Sequence, residues 1–330
     1  MRSSRRRSLA ASIIPTAIAA VCTAMGGQPA RAAYPEKPIR LVVGFAAGGA
    51  NDLVARVVAQ EASRKIGRAI IIENMPGSNA EVASGAVARA APDGYTLLLG
   101  SSGALGISPI LKPRLSYRPA SDLAPVVMLA KAPYVLITST QSSFRNVKEL
   151  AAASRASRQG LTFASVGVGS VPHLATEWFD EAAGVKALHV PYKGASQSIV
   201  DIVGRQVDYG FTTIAVAAPT IKAGQTRALA ISSAGRSPLM PDVPAIGETV
   251  PGFEAVVWYG LFSPAGTPEA ILQTLHEAFG QALESERVKS EFATQGFDVF
   301  KLPRDAIKPY VERDARNWES VIRRAGIQID

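Results

Sequence analysis

The chain has 330 residues, 47% hydrophobic and 19% charged, with a formal net charge of +8, three histidines and one cysteine. That length supplies a core for about two domains. The basicity excludes less than it first suggests: Arg2, Arg5, Arg6, Arg7 and Arg31 fall in a predicted export signal, and without those five the charge is +3. Nucleic-acid binding loses its main support with them.

Residues 1–32 read as that signal, with a basic start at Arg5-Arg6-Arg7, an apolar run from Leu9 to Met25 and small residues at Ala30-Arg31-Ala32. Cleavage is placed after Ala32 or Ala33. Pro15 and the alanine content argue against a membrane anchor, with a retained anchor as the alternative. Ser4-Arg5-Arg6 leaves the route open between general secretion and the twin-arginine path. Cys22 lies inside the signal, so the mature chain is expected to have no disulfide, thiol chemistry or cysteine metal site. No second run approaches the ~20 apolar residues of a membrane span, so the mature protein is expected to be exported and soluble.

The mature chain opens with a strand (Ile39 to Val43), a glycine-rich turn (Gly44 to Ala50) and an amphipathic helix beginning near Asn51. Asn51 or Asp52 is the predicted N-cap, and the unpaired amides of such a turn suit an anion. A strand at 69–73, a small-residue helix at 80–91 and a strand at 95–100 follow, ending in Ser101 and Ser102 at a strand's carboxyl end. Residues 124–139 form two β-like runs joined at Pro133, read as a crossover. A second series then begins: a helix at 147–157, a strand at 161–165, the loop Val166-Gly-Val-Gly-Ser170, a helix at 172–183, a strand at 187–190, and a helix ending at Gly204. Further strands fall at 207–211, 227–232 and 255–263, the last able to pair with the crossover. Helices at 268–283 and 304–325 are predicted surface cover for the first lobe. Alternating strands and helices predict an α/β architecture with mainly parallel sheets flanked by helices.

Two stretches echo each other as strand, glycine-rich turn and helix start: Val43 to Asp52 and Ala164 to His173. If the lobes face each other, two helix N-termini aim at one cleft and clamp a small anion. Ser170 is a plausible N-cap there. Other chemistry fares worse. Gly44 to Gly49 lacks the lysine of a Walker loop and the spacing of Gly-x-Gly-x-x-Gly. No Gly-x-Ser-x-Gly elbow occurs, and no acid is placed to orient His173 beside Ser165 and Ser170. His173 reads as a neutral hydrogen-bonder at the cleft or a packed structural histidine, His189 as structural, and His276 as lying in a surface helix. No metal site and no cofactor are expected. Phe45 is a cleft wall or a core aromatic, and Asp52 a ligand contact or only a cap.

In order and spacing, several stretches resemble the Bug-type, TctC-like solute receptors of tripartite tricarboxylate transporters. They include Tyr34-Pro-Glu-Lys-Pro38, Phe45-Ala-Ala-Gly-Gly49 with Asp52, Pro76-Gly77, Pro92-Asp-Gly-Tyr95, Phe163 to Ser170 with His173, His189-Val-Pro-Tyr-Lys-Gly194 and Pro241-Asp-Val-Pro244. The resemblance implies a two-lobed periplasmic binding protein of type II that the chain crosses twice, with lobe 1 from residues 33–133 and 234–330 and lobe 2 from 134–233. It implies no catalysis, a small carboxylate ligand held by backbone amides and water, membrane permease subunits as partners, and a monomer. Loop 1 (Phe45, Ala47, Gly48, Gly49, Asn51, Asp52) and loop 2 (Ser165, Gly169, Ser170, His173) map onto the ligand site, to which Ser101, Ser102 and Thr212 are added. The chain departs from the pattern at Gly44 (often Pro), Asn51 (often Thr or Ser), Asn79-Ala80-Glu81 (usually Gly-Gly-Asn), Leu105 (often His) and Thr212 (often acidic). Loss of that acid argues against an amino acid ligand. The alternatives are an exported α/β enzyme acting on a carboxylated substrate, and a periplasmic sensor.

Overall fold

The computed structural model describes residues 34–324 except 113; the predicted export signal lies outside them. The first parallel unit is β1 (Ile39–Val43), α1 (Ala50–Ile66), β2 (Ile70–Asn74), α2 (Glu81–Ala88) and β3 (Thr96–Ser101). β1 alternates between two cores, which makes it a strand covered on both sides. Ile39, Leu41 and Val43 pack with Val54 and Val58 of α1, while Val42 packs with Leu98 and with Ala83 and Val87 of α2.

A π-helical turn (Gly103–Ile107) and two short helices, α3 (Ser108–Leu111) and α4 (Pro119–Asp122), lead into β4 (Leu123–Ser139). The second unit is α5 (Val147–Ala156), β5 (Leu161–Ser165), α6 (Val171–Ala183), β6 (Ala187–Pro191), α7 (Ala195–Val203), β7 (Tyr209–Thr213), α8 (Ile214–Lys222) and β8 (Thr226–Ile231). The chain returns through β9 (Val256–Pro264) and finishes with α9 (Glu269–Glu284), α10 (Glu286–Gln295), the short β10 (Asp298–Val299) and α11 (Arg304–Arg324).

β4 belongs to both sheets. Its Leu123–Pro133 part pairs antiparallel with β9, completing the order β2-β1-β3-β9-β4. From Tyr134 it pairs with β7 on one side and β8 on the other, joining the sheet that runs β7-β5-β6. Ser232 ties the two crossings together. Its Oγ accepts the Tyr134 amide at 2.7 Å and donates to the Ala255 carbonyl, and its own amide donates to the Tyr134 carbonyl.

Several elements differ from the sequence expectation. The two runs joined at Pro133 are one strand, because the sheet changes partners at the residue that has no N–H to give. α8 carries no amphipathic stripe and contains Pro219, so periodicity passes over it. α10 starts where the Ser285 side chain caps a new helix by accepting from Val288. The N-cap of α1 is Gly49, not Asn51 or Asp52, since the helix already begins at Ala50.

Candidate functional site

The β1–α1 turn, loop 1, is held by one carboxylate. Asp52 is 2% exposed, and its oxygens accept from the Gly48 amide (3.0 Å), Arg56 Nε and Nη2 (2.8 and 2.9 Å) and Asn74 Nδ2 (3.0 Å). Burial pushes its pKa up, but these donors together hold it below the ordinary carboxylate value. With its lone pairs taken by protein donors, Asp52 shapes the loop. Gly48 turns with φ of +80°, where glycine carries no steric penalty. Phe45 closes the turn by accepting Asn74 Nδ2 on its carbonyl at 3.0 Å.

Loop 1 reaches the opposite lobe. A Cβ on Gly194, at the start of α7, would lie 2.9 Å from the Ala46 Cβ, and one on Gly48 would lie 3.4 Å from Ser196 Oγ. Asn79 Nδ2 donates to the Gly169 carbonyl across the cleft at 3.1 Å. The cleft is closed on itself.

Between the lobes lies an inner chamber of about 40 Å³. Four helices present their first turns to it: Gly49, Ala50 and Asn51 from α1, Pro172 from α6, Gly194 and Ala195 from α7, and Thr213 ahead of α8. First-turn amides have no partner inside their own helix, and each helix end carries partial positive charge. Asn51 Oδ1, Thr212 Oγ1 and Thr213 Oγ1 are buried there without a hydrogen-bond partner. Buried polar atoms left unpaired cost free energy, so three around one small space mark a place built for a polar guest.

Phe45 and Val166 also wall an outer chamber of about 400 Å³ that includes Gly44, Ser78, Asn79, Gly167, Lys112 and Lys193. Lys112 donates to Glu81 at 2.7 Å, whereas Lys193 is exposed.

Loop 2 is braced from behind by histidines. His173 and His189 stack at 4.0 Å between ring centres, with Phe163 4.8 Å from His189. His173 Nδ1 accepts the Gly169 amide at 3.2 Å, which fixes the neutral form with its proton on Nε2. Burial, and then the neighbouring His189, bring the His173 pKa down to about 3; burial brings His189 down to about 4. Ser165 Oγ lies 2.6 Å from His189 Nε2 and accepts the Gly167 amide at 3.0 Å. Ser165 is buried and His189 half-buried, and neither lines either chamber. Ser170 caps α6 by accepting from the His173 amide.

Of the residues picked from sequence, the structure gathers Phe45, Gly49, Asn51 and Thr212 on the inner wall, while Ala47 and Gly48 lie on the exposed rim of loop 1. Gly169, Ser170 and His173 shape loop 2 beside it. Ser101 pairs with Tyr259 in the sheet, and Ser102, fully buried with its Oγ unpartnered, precedes Gly103 at the Asn79 contact; neither lines the inner or the outer chamber. Sequence reasoning missed Thr213, Gly194, Ala195, Tyr134 and Tyr259. The Tyr192-Lys-Gly194 turn was the one available signal, because a glycine before a helical stretch marks another helix N-terminus.

Comparison with known proteins extends this geometry. Residues 54–327 match the family described as Tripartite tricarboxylate transporter family receptor. The chain is 33% identical over 298 residues to Protein BugT of Bordetella pertussis, covering 90% of this chain and 91% of BugT. The solved structure of the periplasmic binding protein BugD superposes with a TM-score of 0.85 at 30% identity, covering 89% of this chain and 99% of BugD. MatC from Rhodopseudomonas palustris with bound malate superposes with a TM-score of 0.83 at 34% identity, covering 88% of this chain and all of MatC (100%).

Proposed function

Because the chain belongs to the tripartite tricarboxylate transporter receptor family, we propose that it is a periplasmic, non-enzymatic solute receptor. It captures a small carboxylate between its lobes and delivers it as a monomer to membrane permease subunits. The inner chamber carries this reading: helix first turns around three unpartnered buried polar atoms match one carboxylate group. The Thr212 and Thr213 hydroxyls donate to its oxygens. Asn51 Oδ1 is an acceptor, so a bridging water between it and the carboxylate satisfies both. The chamber holds little more than that group, which leaves the body of the ligand in the outer chamber near Lys112 and Lys193. Malate in MatC supports a carboxylate of this size, and Thr212 offers no charge to an ammonium group.

The test is a thermal-shift screen of dicarboxylates (malate and adipate among them), tricarboxylates, aromatic acids and amino acids, followed by calorimetry. A ligand at 100 times its dissociation constant adds about 2.7 kcal/mol. Tight binding of aspartate with no response to any non-amino carboxylate overturns the proposed ligand class. Turnover of a bound carboxylate overturns the receptor reading in favour of an enzyme.

A further inference from the structure

Ser78, Asn79 and Ala80 are three consecutive non-glycine residues with φ of +45°, +52° and +66°. L-residues enter this left-handed region at a cost and hold it only where the surroundings enforce it. Asparagine is among the few that tolerate it, and here its side chain has a task. Asn79 is 3% exposed, and its Nδ2 reaches the Gly169 carbonyl on loop 2 at 3.1 Å and Ser108 Oγ at 3.3 Å. Its backbone also meets loop 2: a Cβ on Gly167 would sit 3.5 Å from the Asn79 amide nitrogen. The support beneath is firm, since Ser108 Oγ and Lys112 Nζ both donate to Glu81 Oε1, at 3.0 and 2.7 Å. Opening the cleft breaks the Asn79–Gly169 bond and exposes both groups.

We infer that Asn79 is an interlobe clasp, a positioning residue that acts through Gly169 to favour the closed cleft and slow ligand escape. The inference rests on the reading of a cleft that opens and closes around a ligand. Glycine at this position would make the backbone conformation easier but could not clasp, so the strained asparagine exchanges local ease for a bond between lobes.

Spin labels at Lys65→Cys and Lys148→Cys, both exposed and on opposite lobes, with Cys22→Ser, report the interlobe distance of the ligand-free chain. Asn79→Gly keeps the backbone and removes the clasp; the ratio of closed to open chains should fall about fivefold, with melting temperature kept or raised. Asn79→Asp also tolerates the left-handed backbone, removes the donor and sets a charge against the Gly169 carbonyl, so it should open further. Unchanged distance distributions in both variants overturn the clasp. A large drop in melting temperature in both also overturns it, by making Asn79 a plain packing residue. Because no ligand is needed, Asn79-dependent closure in a chain that binds no carboxylate would reject the ligand reading and leave the clasp standing.

Discussion

Gly194 offers the cleanest way to ask whether closure is needed for binding. Its φ is −171°, an extended conformation that any residue adopts, so alanine brings no backbone strain. Loss of helix-capping preference and the reduced freedom of the unfolded chain are of similar size and opposite sign, so folding stability should barely change. The added methyl meets only the other lobe: its carbon would lie 2.9 Å from Ala46 Cβ, about an ångström inside normal contact. Such overpacking costs about 1–3 kcal/mol, and opening the cleft relieves it. Gly194→Ala should therefore weaken ligand binding roughly 5- to 150-fold in calorimetry while the ligand-free melting temperature stays within a few degrees. Ala46→Gly removes the opposing methyl, and the double variant should recover most of the loss. Wild-type affinity in Gly194→Ala refutes the wedge, as does a double variant no better than the single.

Three further outcomes follow from other parts of the site. Thr212→Val and Thr213→Val each remove a buried hydroxyl that has no protein partner, so the ligand-free protein should melt no lower while affinity falls about tenfold for each. Gly48→Ala forces a side chain onto φ of +80°; at ~1–2 kcal/mol of strain it should disturb loop 1 and lower affinity, with a small loss of melting temperature. The third concerns pH. Burial lifts Asp180 to about 8 despite the Tyr209 hydroxyl that donates to it at 2.7 Å, and the nearby Glu177 adds to the rise. A folded-state pKa above the unfolded one contributes stability that is lost as pH climbs through the folded value, here between about 4 and 8. His173 and His189 act oppositely: their depressed values remove stability as pH falls from about 6.5 toward 3 and 4. Above pH 6.5 only Asp180 remains of these three, so stability should decline toward pH 8 at no more than about 1.4 kcal/mol per unit. Denaturant melts of Asp180→Asn should show that decline flattened; an unchanged slope removes Asp180 as its cause.

The fold was legible because burial imposes simple patterns on strands. Ile39 to Val43 reads as a covered strand because its side chains enter two cores, and the residues do so. α8 was illegible for the complementary reason: its residues are nearly all apolar although only Ile214 and Ala217 are buried, and Pro219 lies inside it, so neither a polar face nor a clean stop announces it. The site was half legible. Gly44 to Asn51 can be singled out locally, since a glycine turn before a helix exposes unpaired first-turn amides that suit the proposed anion. Gly194 shows locally only a glycine before a helical stretch, and Thr213 shows nothing, because their place at the chamber depends on β6 and β7 delivering two more helix starts to the same wall.

Two departures from the family pattern are separate in sequence and joined in space. A side chain at Gly44 would need the place of Ala80, whose Cβ lies 2.1 Å from where a Cβ at 44 would be. A relative with Pro at the first position needs something smaller at the second, and the glycine usual there provides it. Here the bulk is on the 78–80 segment and not on the β1–α1 turn. Ala80 sits against Gly44 and belongs to the left-handed run that carries Asn79 to Gly169. Neither residue reads as functional alone. Together they tie the shape of loop 1 to the contact that closes the cleft, so Gly44→Ala should act on closure as well as on loop 1, with Ala80→Gly as its compensating change.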